Sequence, residues 1–291
     1  MFQGVFTAIV TPFSEEGKIE ESTLRKLVDF QIENGINGLV PMGTTGESPT
    51  LNYKEHERVI EVVVDQTKGR VPVIAGTGSN CTDEAIKLTK YAKEVGVSAS
   101  LQVAPYYNKP TQEGFFQHFT AIAGAVDLPI IVYNIPGRSG KNIENSTMLK
   151  LAKHPNIVAV KEASGNIPQI MALIHQKPDD FDVLSGDDNL VFPIMALGGK
   201  GVISVASNLI PQQMIDFVAA ALAGKWDDAR SQHYALLPLF KAIFLETNPI
   251  PIKAALAMKG MIKETYRLPM CPMSPQNREK LKNVLRELNI L

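Results

Sequence analysis

Ile157-Val158-Ala159-Val160-Lys161-Glu162 is the stretch whose reading decides the fold. Four small or branched apolar residues in a row, without polar alternation, suit a strand buried on both faces of a parallel sheet. Seven other runs share this character: Val5–Val10, Gly38–Pro41, Val71–Ala75, Ser98–Ala104, Pro129–Tyr133, Phe181–Leu184 and Val202–Val205. Helical patterns fill the gaps. Ser22 is placed to cap a helix carrying Leu24, Leu27, Val28 and Ile32 and ended by Asn34-Gly35, and Thr82-Asp83-Glu84 opens another that ends near Val95-Gly96. Eight strand–helix units predict an α/β fold closed as a (β/α)8 TIM barrel rather than an open doubly wound sheet. Strand signals stop at about Asn208. Helical patterns then cover Met214–Ala223, Trp226–Phe240, Pro251–Met261 and Pro275–Leu288. The expected organisation is a catalytic barrel over residues 1–207 and a C-terminal helical appendage over 208–291 that completes and extends it.

Composition removes several function classes. The chain has 291 residues, with 29 Lys+Arg against 30 Asp+Glu, a formal charge of −1, and 45% hydrophobic residues. Disorder needs lower hydrophobicity and a larger net charge. Nucleic-acid binders carry a basic footprint that this balance lacks, so no nucleic-acid partner is expected. Cys81 and Cys271 form no CxxC or Cys/His cluster, which argues against a disulfide scaffold or a structural zinc. The longest uncharged run, Gly201 to Ile215, is too short for a membrane span of about 20 residues and contains Pro211. The start, Met1 to Phe6, has no basic n-region or cleavage site. A soluble, cytoplasmic protein without a membrane partner is the expectation.

In such barrels chemistry gathers at the carboxyl ends of the strands. There the sequence reads Gly43-Thr44-Thr45-Gly46-Glu47, Pro105-Tyr106-Tyr107-Asn108, Tyr133-Asn134-Ile135-Pro136-Gly137-Arg138, Lys161-Glu162 and Ser185-Gly186-Asp187-Asp188. Lys161 emerges at the rim of an apolar barrel, where desolvation favours the neutral amine a Schiff-base nucleophile must supply. The plain alternative is a lysine that snorkels to solvent or pairs with Glu162 or Asp187. Thr44 and Thr45, between glycines, offer hydroxyls and backbone N–H groups to a carboxylate or phosphate, or else form a tight turn that needs glycine at positive φ. Tyr133 can shuttle protons beside Lys161 or simply plug the barrel mouth. Arg138 offers a fork for a carboxylate, or faces water. Tyr106-Tyr107 suits interface packing.

Other motifs fail. Gly76-Thr77-Gly78 lacks the rest of a dinucleotide fingerprint, Gly199-Lys200-Gly201 lacks the Ser/Thr of a P-loop, and His56-Glu57 has no second histidine one turn on. No GxSxG elbow is present. Asp187-Asp188 without a third acidic ligand reads as a capping or solvated pair, so no metal is expected.

Four motifs together, Gly43-Thr44-Thr45-Gly46-Glu47, Tyr133 to Arg138, Lys161-Glu162-Ala163-Ser164-Gly165 and Asn248-Pro249-Ile250-Pro251-Ile252-Lys253, resemble the dihydrodipicolinate synthase family of pyruvate-dependent class I aldolases. The likeness covers essentially the whole chain. The Thr-Thr loop, tyrosine and lysine are shared with the wider pyruvate-dependent lyases, and Arg138 in its Pro-Gly-Arg turn is the more discriminating residue. The resemblance implies a cofactor-free condensation of pyruvate with aspartate semialdehyde in lysine and diaminopimelate biosynthesis. Lys161 would form the imine, Thr44 and Thr45 would hold the pyruvate carboxylate, and Tyr133 would relay protons through Thr44 to Tyr107 of a neighbouring protomer. Arg138 would bind the aldehyde's carboxylate, and backbone atoms of Gly186 and Ile203 match positions that face substrate.

The same resemblance implies a homo-oligomer, a tetramer built as a dimer of dimers, with lysine as an effector at the interface that supplies Tyr107. Ser48, His56, Asn80, Glu84 and Tyr106 match that effector pattern, while Pro49 and Tyr53 depart from it, alanine and histidine or tryptophan being usual there. Two other readings compete: a sister lyase cleaving a sialic acid or 2-keto-3-deoxy sugar acid through the same imine, and a barrel that senses a keto acid without turnover.

Overall fold

The Val- and Ile-rich runs form eight parallel strands wound into a barrel, in a computed structural model that describes residues 2–291. The strands are β1 (Gly4–Thr7), β2 (Gly38–Leu39), β3 (Ile74–Gly76), β4 (Ala99–Val103), β5 (Ile130–Asn134), β6 (Ile157–Glu162), β7 (Asp182–Ser185) and β8 (Gly201–Ser204). Their order, β2-β1-β8-β7-β6-β5-β4-β3, leaves only β2 and β3 to meet, and a parallel bridge between Leu39 and Val73 closes the ring. All eight expected runs contain a strand, and each is offset by a few residues, because regular pairing starts and stops with the neighbours rather than with the apolar run. β6 carries on through Lys161 and Glu162, since both pair with β7.

Helices α1 (Glu21–Glu33), α2 (Tyr53–Thr67), α3 (Thr82–Glu94), α4 (Gln112–Ala125), α5 (Pro136–Ser139), α6 (Asn145–Leu151), α7 (Ile167–Gln176) and α8 (Val191–Ala196) lie between successive strands. Ser22 does not cap α1. The helix begins at Glu21 without a side-chain cap, and Ser22 already lies in its first turn. Thr82 does open α3. After β8 only helices follow: α9 (Pro211–Leu222), α10 (Trp226–Ala242), α11 (Ile250–Met258) and α12 (Pro275–Glu287). They are fastened to the barrel by specific bonds. Arg267 donates to both carboxylate oxygens of Glu55 at 2.8 and 2.7 Å, on the first turn of α2, and to the Gly17 and Thr50 carbonyls.

Both faces of the sheet are mostly apolar, with buried polar residues such as Thr7, Ser100, Gln102 and Ser204 among them. Phe6, Val40, Ile74, Leu101, Ile131, Ala159, Leu184 and Ile203 fill the barrel interior, and Ile130, Val132 and Val160 face the helices. One irregularity sets the site. Ile130 pairs with Ile157 but Ile131 pairs with Ala159, so Val158 is an extra residue in β6. The bulge sends Ile157 outward and Ala159 inward, and with a period of two Lys161 then also points into the barrel. Across the ladder, Tyr133 pairs directly with Lys161.

Candidate active site

Lys161 is 7% exposed and sits on the interior face of β6. Its amine lies 4.1 Å from the centre of the Tyr133 ring. Burial pushes its pKa down to about 7, with the positive charge of Arg138 acting in the same direction and the Asp188 carboxylate opposing both. The alternative ion pairs do not form. Glu162 points to the opposite face, where its carboxylate accepts from the Ser164 N–H at 2.7 Å and from the Asn134 amide. Asp187 is occupied in capping the turn after β7, accepting from the Asn189 N–H at 2.9 Å. An amine with this pKa is neutral in a large fraction of molecules at neutral pH and can attack a carbonyl.

Tyr133 is the penultimate residue of the fully buried β5. Burial drives its phenol well above the ordinary range, opposed by Arg138 and by the Thr44 side chain beside it. Thr44 and Thr45 lie on a single 3₁₀ turn after β2, with Thr45 buried and Thr44 partly open. Their N–H groups donate to no backbone carbonyl among the described residues, so they remain available to an anion. The glycines of this loop are not there for positive φ. The left-handed positions are Met42 and Glu47, which flank them. Arg138 stands on α5 at the rim, donating to the Asn248 carbonyl at 3.2 Å. Thr44, Tyr133 and Arg138 line one cavity of about 690 Å³.

Gly186 and Ile203 are also in place. Ile203 belongs to the barrel interior. A Cβ on Gly186 would come within 3.0 Å of the Lys161 Cγ and Cε, so glycine at this position leaves the lysine stem its room. Tyr107 is not brought to the Lys161 of its own chain. It is 91% exposed, at a left-handed φ of 70°, on a loop fixed by the Asn108–Asn80 and Asn80–Tyr106 bonds.

Of the five effector candidates, Ser48, His56, Glu84 and Tyr106 line the same cavity, and Asn80 does not, its amide being turned to the Tyr106 carbonyl. His56 is committed to the Gly76 carbonyl at 2.7 Å, and burial lowers its pKa. The Glu84 carboxyl is held below its usual range, first by Tyr53 and then by Ser79. Tyr53 is in turn pushed up to about 12, chiefly by Glu84.

The contacts of four residues, Asp188, Glu47, Lys253 and Asn248, escaped the sequence reading. Asp188 is 1% exposed; one oxygen accepts from the Val205 and Ala206 N–H groups at 3.0 Å each, and the other has no hydrogen-bond partner among the described residues. Burial pushes its pKa up to about 6. Glu47 and Lys253 form a fully buried ion pair between the Thr-Thr loop and α11. The Asn248 side chain donates to the Thr45 hydroxyl at 2.9 Å. A lone lysine in the otherwise apolar Ile250–Met258 segment was the one available signal for that pair.

Comparison with known proteins agrees with this geometry. A sequence model of the Dihydrodipicolinate synthetase family matches residues 1–288. The chain is 54% identical to the 4-hydroxy-tetrahydrodipicolinate synthase of Syntrophobacter fumaroxidans over 292 aligned positions, covering 100% of both. It is similar to the crystal structure of the chloride-inhibited dihydrodipicolinate synthase of Acinetobacter baumannii complexed with pyruvate, at 45% identity and a TM-score of 0.98, covering 100% of both chains. It is also similar to the enzyme of Cyanidioschyzon merolae with lysine bound, at 41% identity and a TM-score of 0.97, covering 100% of this chain and 99% of that one.

The buried amine has a thermodynamic signature. Lys161 has its ordinary pKa of 10.5 in the unfolded chain and about 7 in the folded one. Burying it therefore costs most when it is charged in both states, below pH 7, and the cost fades as pH rises through the interval. Lys161→Met should stabilise the protein by on the order of 4 kcal/mol near pH 7. That advantage should shrink steadily toward pH 10. Thermal melts of both proteins across this range check it, and equal melting temperatures at pH 7 would refute the buried, strained amine.

Proposed function

The chain belongs to the dihydrodipicolinate synthetase family, and on that premise we propose that it condenses pyruvate with L-aspartate 4-semialdehyde to give 4-hydroxy-tetrahydrodipicolinate. The observation that carries the reading is the Lys161 amine, desolvated to a pKa of about 7 and facing Tyr133 across one ladder step. Neutral Lys161 attacks the ketone of pyruvate, and loss of water leaves an iminium. The iminium is its own electron sink, so the chemistry needs no cofactor. Thr44 and Thr45 hold the pyruvate carboxylate through their hydroxyls and free N–H groups. Tyr133 accepts and returns the protons of imine formation, coupled through Thr44.

Loss of a proton from the pyruvate methyl gives an enamine, whose carbon attacks the aldehyde. Arg138 binds that substrate's carboxylate at the rim, and Gly186 and Ile203 present backbone atoms to it. The amino group of the second substrate then closes the ring and displaces Lys161. Tyr107 completes the relay from a neighbouring protomer; its 91% exposure and rigid loop support that role. The active unit is thus a dimer, and two dimers make the tetramer. Among the described residues no helix is long and apolar enough to cross a membrane, which supports a cytoplasmic location.

Lysine is proposed as an effector in the part of the cavity lined by Ser48, His56, Glu84 and Tyr106. The lysine-bound relative supports the assignment. Here Ser79 already donates to the Glu84 carboxylate at 2.8 Å, so an arriving ammonium must share it. Binding weaker than at an unoccupied carboxylate follows.

Borohydride reduction in the presence of pyruvate, followed by peptide mass mapping, should place one adduct on Lys161, and a coupled assay should then show consumption of aspartate semialdehyde. An adduct elsewhere, or release of pyruvate from a sugar acid in place of the condensation, would overturn the proposal. Tyr133→Phe should lower kcat about 10²-fold or more, the scale of a positioned acid–base group; a near-normal rate removes it from the relay. Arg138→Ala should raise KM for the aldehyde while imine trapping survives, and loss of trapping would give Arg138 a different task. Saturating lysine should slow turnover and raise the melting temperature; if it does neither, the effector site is absent.

A further inference from the structure

The loop that faces the pyruvate carboxylate is held from behind by residues of the C-terminal helices. Asn248 is 5% exposed and donates its side-chain N–H to the Thr45 hydroxyl at 2.9 Å. Its side-chain oxygen has no protein partner, so Thr45 is the only protein group this amide touches among the described residues. Two residues beyond Thr45, Glu47 closes the loop at a left-handed φ of 55°, with its N–H returned to the Thr44 carbonyl. Its carboxylate meets the Lys253 ammonium, the two side chains being 1% and 0% exposed, and its second oxygen accepts from the Arg267 N–H at 3.3 Å. The ammonium is boxed by the rings of Phe13 and Tyr266, 4.4 and 5.3 Å from their centres.

A buried ion pair is a poor source of stability, because desolvation offsets most of its attraction. What it supplies is a single geometry. A pair of apolar side chains in the same space would tolerate sliding of the loop against α11, whereas a charged pair walled by aromatic rings does not. The same segment also reaches the other half of the site, since the main-chain carbonyl of Asn248 accepts from Arg138 at 3.2 Å. Side chain and main chain of one residue thus address different substrates.

We infer that Asn248 and Lys253 are positioning residues for the pyruvate half of the reaction: from the C-terminal helical region they hold the Gly43–Glu47 loop so that Thr44 and Thr45 are aimed at the pyruvate carboxylate. This rests on the assignment of that loop to pyruvate. The appendage is then part of the catalytic apparatus, acting through Thr45 and Glu47 without touching substrate itself.

Two variants test it. Asn248→Leu removes the side-chain amide and keeps the main-chain carbonyl. The double variant Glu47→Leu/Lys253→Met removes both charges together, so that neither is left buried and unpaired. Each is titrated with pyruvate under borohydride trapping, beside the wild type, and KM for aspartate semialdehyde is measured separately. The pyruvate concentration for half-maximal trapping should rise about tenfold in each variant, the scale of one lost buried hydrogen bond. The adduct should remain on Lys161, and KM for the aldehyde should stay within about twofold, because Arg138 keeps its partner. Where one variant fails to fold, the other decides. Unchanged half-saturation overturns the inference, and so does a parallel rise for both substrates, which marks general loosening. A wild type that forms no adduct would overturn the assignment of the loop, and this inference with it.

Discussion

Everything in this molecule's chemistry depends on one unfavourable act: placing an amine inside an apolar barrel without a salt-bridge partner. Desolvation favours the neutral form, and the eight-stranded ring is what maintains that desolvation, through the packed interior beneath Lys161 and the Tyr133 ring beside it. The charges nearby are balanced rather than simply absent. Arg138 pushes the amine toward neutrality and the buried Asp188 pulls it back, so the pKa comes to rest near 7. A closer carboxylate would fix the ammonium and stop the attack. With Asp188 replaced by an apolar residue, the amine would lose the one nearby charge that favours its protonated form.

The barrel supplies the desolvated floor, and loops supply the aim. The bulge at Val158 turns Lys161 inward, Gly186 leaves room for its stem, and the Asn134–Glu162 bonds tie the ends of β5 and β6 together. The Thr-Thr loop is tied to the C-terminal helical region through the buried Glu47–Lys253 pair. The ties of Arg267 to Glu55, Gly17 and Thr50 anchor the C-terminal helices where they can brace that loop.

Much of this was legible in the chain. Apolar runs rich in Val and Ile reveal strands because a parallel sheet covered on both faces leaves them no solvent-facing side to mark with regular polar alternation. Lys161 at the end of such a run and Tyr133 at the end of the previous one mark the candidate site, and the structure pairs them across the ladder. What escaped was whatever depends on register or on distance along the chain. The Val158 bulge changes pairing without changing composition. Glu47 and Lys253 meet across 206 positions, so each alone looks like an ordinary surface charge. Asp187-Asp188 was read as a capping or solvated pair; Asp187 does cap the turn after β7, whereas the burial of Asp188 against the chain that follows β8 depends on the closed ring. The link of Asn80 to the Tyr106 carbonyl is likewise a contact that residue type alone does not give. Ser22, a good capping residue, lost its place because α1 starts one residue before it.

The most direct measurement is the pH dependence of imine formation itself. Pyruvate is mixed with the enzyme, quenched with borohydride at short times, and the Lys161 adduct is quantified by mass across the range from acid to strongly alkaline solution. Burial that holds the amine at a pKa of about 7 requires the rate to reach half its plateau near that pH. A rate that climbs only near pH 10, where an ordinary lysine loses its proton, would show that the barrel leaves this amine charged.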